Sequence, residues 1–228
     1  MKIPHTLRLA SLLLCCTPVA SIAQQSRLDS VLKQMDEAST KFKSAQADFT
    51  QDLYERVVKE TTTETGSVFF ERKGTSTEMG LKIQPPNTRF VDYKNGVARI
   101  FDPGANHITE IRAAQYERFL TLGFGGSGHD LAAAWTITDQ GPEQLNDGSG
   151  NVTVEKLDLV SKDPAGRNNF SHITIWVDPT RSLSFKQQLF TPSGDYRTST
   201  YTHIHYNQKV DAGPYAIKLG KNPTIDRR

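Results

Sequence analysis

GSVFFERKGTSTEMGLKIQPPNTRFVDYKNGVARIFDPGANHITEIR, residues 66–112, decides the fold. Five short runs lie in it, at 66–72, 78–83, 89–93, 97–101 and 108–111. Between them stand Gly74, Pro85-Pro86, Asn95-Gly96 and Asp102-Pro103-Gly104. Asn-Gly and Pro-Gly pairs supply the backbone angles of tight turns, and short period-two runs between such turns form an antiparallel meander.

Outward from this stretch the same grammar holds. The period changes to two from Ala45 onward and resumes later at 152–160, 172–177, 183–190 and 196–206, turning at Asp178-Pro179 and at 192–195. Val68 and Phe70 alternate with Ser67 and Glu71, and Ile173, Ile175 and Val177 alternate with His172, Thr174 and Trp176, so one face of the sheet is apolar. Ahead of the strands, Leu28, Val31, Leu32, Met35 and Phe42 recur near helical spacing, with Ser26 as the expected N-cap and Asp29 three residues on. That stripe is read as core contact. The segment 113–141 differs in kind. Residues 115–122 and 130–135 read as short helices joined by the glycine-rich run 123–128, a movable cover over the sheet. Strands outnumber helices enough that a concave sheet would be only partly filled, leaving room for a greasy ligand.

At the N-terminus, Lys2 and Arg8 precede an apolar run from Leu9 to Cys16, and Ser21-Ile22-Ala23 offers small residues for cleavage. This is the layout of a secretory leader covering residues 1–23, followed by one domain over 24–228. Cys15 and Cys16 are the chain's two cysteines, so the mature domain has no disulfide. The leader holds two of the 27 basic residues and no acidic one, which leaves the remainder with as many basic as its 25 acidic residues. A neutral domain carries no nucleic-acid footprint. The expected product is soluble and exported.

Three motifs invite chemistry. Gly123, Gly125 and Gly128 match G-x-G-x-x-G, but the preceding segment reads as helix and the surroundings as antiparallel, not as the parallel strand-turn-helix that holds a dinucleotide. Ser127 misses the spacing of a nucleophile elbow by one residue. His203 and His205 share a face of one run, with Tyr201 and His172 as candidate neighbours, and two imidazoles at that spacing could hold a metal for a hydrolase. No third ligand stands at a diagnostic distance, and the pair is read as a solvated face.

Taken together, the order of motifs resembles the outer-membrane lipoprotein carrier LolA and its relatives. Ala47-Asp48-Phe49-Thr50-Gln51 after the helix is similar to the family's opening Phe-x-Gln element. Residues 66–72 resemble its first long strand, ending in a functional arginine at Arg72. Pro85-Pro86, then Asn95-Gly96 leading into Phe101-Asp102-Pro103, resembles its Pro, Asp-Gly and Tyr-x-Pro sequence. The chain departs from that pattern at Lys73, where the family has proline, at Phe101 for tyrosine, and at His107, where glutamine is common.

The resemblance implies a mainly β protein: an incomplete, strongly curved antiparallel barrel covered by an N-terminal helix and short lid helices, in the Gram-negative periplasm. It implies a monomeric carrier, not an enzyme, with no cofactor or metal, served by an inner-membrane release complex and an outer-membrane acceptor. It also implies that Arg72 hydrogen-bonds the cover when closed and releases it when lipid enters. Exposing an acyl chain of ~15 methylenes costs on the order of 12 kcal/mol, so such cargo needs a shield to cross water. The expected acyl-binding surface is Val68, Phe70, Ile100, Ile173 and Ile175 on the sheet, with Phe119, Leu122, Phe124, Leu131 and Trp135 on the cover. A one-residue slip in register would exchange the two faces. A rival reading is a periplasmic lipid- or lipoprotein-sensing regulatory module on the same hollow sheet. Such modules usually carry a second domain, which is not expected in this chain.

Overall fold

The computed structural model describes residues 19–228, with side chains from Gln24 onward. The charged and apolar parts of the expected leader, including Cys15 and Cys16, lie outside the described residues.

Helix α1 (Val19–Ser39) comes first. It starts upstream of the expected N-cap, so Ser26 sits within the helix. Nothing between Val19 and Ser26 breaks a helix, and the local cap signal had no reason to stop it. Six strands follow as a meander: β1 (Ser44–Glu55), β2 (Glu60–Lys73), β3 (Ser76–Ile83), β4 (Arg89–Lys94), β5 (Val97–Asp102) and β6 (His107–Arg112). A 3-10 turn (Ala114–Tyr116), α2 (Glu117–Leu120) and α3 (Gly128–Ala134) make the cover. The chain then forms β7 (Trp135–Asn146), β8 (Asn151–Ser161), α4 (Pro164–Asn169), β9 (His172–Asp178), β10 (Leu183–Phe190), β11 (Tyr196–Tyr206) and β12 (Thr224–Arg227).

Among the described residues all twelve strands join one open sheet, in the order β12-β6-β5-β4-β3-β2-β1-β11-β10-β9-β8-β7. The β1–β11 pairing closes the two meanders onto each other, and only β12, beside β6, runs parallel to its neighbour. The turn chemistry is as expected where it is most demanding: Asn95 and Gly96 both have positive φ, at 52° and 77°, which a two-residue hairpin loop requires.

Register decides which side chains meet. Ala98, Tyr93, Met79, Phe70 and Ala45 stand opposite one another across β5, β4, β3, β2 and β1, and Ile100, Val91, Leu81, Val68 and Ala47 form the next row. In the other half, Leu157, Ile175, Gln187, Ser199, Gln51 and Glu64 align across β8, β9, β10, β11, β1 and β2. Both sets belong to one concave face. Over β8 and β9 this face is sealed by α1, whose Leu28, Val31 and Met35 pack with Leu157, Leu159, Ile173, Ile175 and the cover residues Leu131 and Trp135. The convex face is also partly shielded. Tyr215 of the C-terminal segment meets Phe69 edge-on at 5.0 Å, and Trp176 lies between Lys156 and Lys186.

Three elements depart from the sequence expectation. Strand β7 begins at Trp135, where helix and loop were expected, and it carries Pro142; this is tolerated because β7 is the sheet's outer edge. Helix α4 and strand β12 are polar and show no apolar period.

Candidate functional site

Between the concave face of β2–β5 and the cover lies a hollow of about 390 Å³, at the low end of small-molecule pockets. Its apolar wall includes Val68, Met79, Leu81, Val91 and Ile100, with Phe119 and Leu120 of α2 above. Its polar wall is β11, which presents Arg197, Ser199 and Tyr201 along one strand face. Glu64 and Arg89 also line it and pair with each other, the Arg89 Nη2 donating to both Glu64 carboxylate oxygens. Burial pushes the Tyr201 phenol up to about 12, so it stays protonated as a donor at neutral pH.

The cover is pinned at several points. Phe124 stacks flat on Phe70, centroids 3.8 Å apart at 11°, and Tyr201 meets it edge-on at 5.0 Å. Phe124 also forms an isolated bridge with Leu183, with backbone bonds from Gly125 to Ser182 and from Ser184 to Gly123. Gln187 donates to the Leu122 carbonyl and Ser182 to that of Gly126. Arg72 closes the set: its Nη1 donates to the Ser39 carbonyl at 2.9 Å, at the end of α1, and its Nη2 to the Gly125 carbonyl on the cover. The guanidinium also stands 5.5 Å from the Phe42 ring centroid. One charged group thus ties helix, cover and β2 together.

The expected acyl surface is divided between four places. Val68, Phe70, Ile100 and Phe119 line the hollow. Leu122, Leu131 and Trp135 line a separate recess of about 400 Å³ between α2 and α3. Ile173 and Ile175 are fully buried beneath α1, while Phe124 is the wedge stacked on Phe70. Leu81 and Val91 were not anticipated, although their registration with Val68 and Ile100 places them in the same wall. Arg197 and the Glu64–Arg89 pair were missed as well, because charges in a polar alternation give no inward signal.

His203 does not meet His172. It lies 3.2 Å from Asp48 with a positive φ of 51°, whereas His172 stacks on Phe190 two strands away. Both His203 and His205 are exposed. Among the described residues no group of three His, Cys, Asp or Glu is placed to hold a metal.

The fold has counterparts among solved structures. MucB matches at a TM-score of 0.53 with 13% identity over 88% of this chain and 66% of that one. In fold, the chain is similar to MucB. In a second MucB structure, solved in complex with MucA(peri), the chain spans 60% of the matched protein. An uncharacterized conserved protein from Thermus thermophilus matches at 0.51 with 11% identity, over 90% of this chain and 99% of that one. A LolA superfamily protein, NE2245 from Nitrosomonas europaea, matches at 0.40 with 13% identity, over 83% and 97%. No protein-family profile and no curated protein matches the sequence. The open, curved sheet beneath an N-terminal helix and short covering helices is the architecture that the LolA resemblance implied.

Proposed function

We propose that this protein is an exported periplasmic carrier that shields the acyl chains of a lipoprotein or lipid and passes them toward the outer membrane. The observation that carries the reading is an apolar hollow beneath a cover held by side chains that can let go: Arg72, Ser182 and Gln187. Carrying requires no reaction, only an open and a closed state of similar energy, and replaceable hydrogen bonds to carbonyls supply such a balance. Export is supported by the leader layout of residues 1–23. No helix among the described residues is long and apolar enough to cross a membrane.

The test is a photo-crosslinking residue at Leu81 and, separately, at Ile100 in protein expressed in its own cells. Acylated species are expected on both. If neither site captures a lipid or lipoprotein, the carrier reading is wrong.

A regulatory module is the second reading, favoured by the likeness to MucB, which forms a complex with MucA(peri). On that reading a protein partner would stay bound after the lipid is removed, and a pull-down with delipidated protein separates the two.

A further inference from the structure

Of the three ionised side chains lining the hollow, Glu64 and Arg89 neutralise each other, and the guanidinium of Arg197 has no ion pair or hydrogen bond among the described residues. It stands on the concave face of β11 between Leu53 of β1 and Leu189 of β10. It borders both the hollow and an adjoining groove lined by Leu53, Phe170 and Tyr196, with the carboxylates of Glu55 and Asp195 farther along the groove and Asp195 occupied by Ser193 and the Arg56 backbone N–H; this puts Arg197 at the hollow's mouth. The residue is open to solvent, yet protein crowds it closely enough that desolvation pulls its guanidinium pKa down. A cation flanked by two leucines, its guanidinium without a protein acceptor among the described residues, has hydrogen-bonding capacity to offer a ligand. Guanidinium favours planar two-oxygen acceptors, and its charge-assisted bonds are the strong ones.

We infer that Arg197 is the anchor for the carboxylate or phosphate head of a single-chain lipid whose tail lies against Val68, Leu81, Val91 and Ile100. This rests on the carrier reading and narrows its cargo. The hollow divides in a matching way: an apolar wall on β2–β5, and on β11 a polar track of Arg197, Ser199 and Tyr201 leading inward from the mouth. The ester and amide groups at the acylated end of a lipoprotein are neutral and would leave Arg197 unpaired, whereas an anionic head balances the hollow's single excess charge. The volume of the hollow, near 390 Å³, also suits one chain better than several.

The test is competitive displacement of a fluorescent acyl probe from the purified, delipidated protein by dodecanoate, dodecyl phosphate, dodecanol and inorganic phosphate. The two anionic lipids are expected to bind about tenfold more tightly than dodecanol, the worth of one charge-assisted bond. Inorganic phosphate is expected not to compete. Arg197→Met should abolish the roughly tenfold preference for the anionic lipids over dodecanol, and Arg197→Lys should recover part of that preference. Equal binding of anionic and neutral chains by the unmodified protein overturns the role of Arg197 and leaves the carrier reading standing. Competition by inorganic phosphate as strong as that by dodecyl phosphate overturns the lipid-head assignment in favour of a plain anion site. Failure of the probe and of all three chains to bind removes the carrier reading and this inference together.

Discussion

Phe124 and Phe70 come from parts of the chain 54 residues apart, and their rings lie parallel with centroids 3.8 Å apart. The pair joins the cover to the middle of β2, and both rings are almost wholly buried, at 2% and 3% exposure. Phe124 is also the residue that meets Tyr201 and bridges to Leu183. It therefore sits as a wedge between the cover and the sheet, filling the space beside the hollow.

Truncating the wedge tests that role. Phe124→Ala should cost about 3–5 kcal/mol, the usual range for removing a buried phenylalanine. Urea unfolding measures the loss. If the wedge holds the cover down, amide exchange over residues 121–128 should also speed up by more than the global loss accounts for. Equal effects on the cover and on β9 would mean that the ring serves only the core.

Arg72 should behave as a latch. Arg72→Met leaves the carbonyls of Ser39 and Gly125 without their donor, a change worth about 1–3 kcal/mol for hydrogen bonds to a charged group. Arg72→Lys keeps the charge but has no fork to span both carbonyls, so its effect should fall between the two. The discriminating measurement is the rate at which a fluorescent acyl probe enters. Both variants should admit it faster than the parent, and an unchanged rate would show that the cover does not gate the hollow.

The period-two alternation made the concave face legible from the sequence: Val68, Phe70, Ile100, Ile173 and Ile175 all lie on it. What the pattern could not convey is which parts α1 would seal. Ile173 and Ile175 have the same alternation as Val68, and they differ only because Leu28, Val31 and Met35 come to rest on them. Arg197 was hidden for a related reason, since a charged residue in a strand is ordinarily assigned to the solvent side. The polar run ETTTET at the start of β2 had no apolar period to mark it, and its threonines were the only sign of a strand.

Glu155 should make stability depend on pH in an unusual direction. Its carboxyl is held above the ordinary range, first by burial and then by the neighbouring Asp139, with Arg27 pulling the other way. One of its oxygens is buried without a partner. A carboxyl whose pKa rises on folding binds more protons folded than unfolded, so its ionisation costs stability as pH climbs between the unfolded and folded values. Glu155→Gln should therefore stabilise the protein at neutral pH, and the gain should vanish in acid, where the parent is protonated in both states. Melting temperatures across that range check this. A gain of equal size at all pH values would place its cause in packing and not in charge.

The glycines of 123–128 can be told apart by what a methyl group would meet. At Gly128 an added Cβ would lie 2.1 Å from the Leu32 carbonyl oxygen of α1, so α1 and α3 approach each other through that position. At Gly125 it would lie 2.2 Å from the Phe42 ring, on a backbone whose φ is +76°. At Gly126 it would meet nothing within 4 Å, and the backbone there has no positive φ. Gly128→Ala should thus destabilise by about 1–3 kcal/mol through overpacking, while Gly126→Ala should be neutral or stabilise by roughly 0.4–1 kcal/mol by restricting the unfolded chain. Acyl-probe entry then distinguishes two views of the run. If 123–128 is a loop whose glycines answer close packing, Gly126→Ala should load lipid at the parent rate. If the whole run must flex as a hinge, the same variant should load slowly although it is at least as stable as the parent, because opening would need torsions at Gly126 that alanine disfavours.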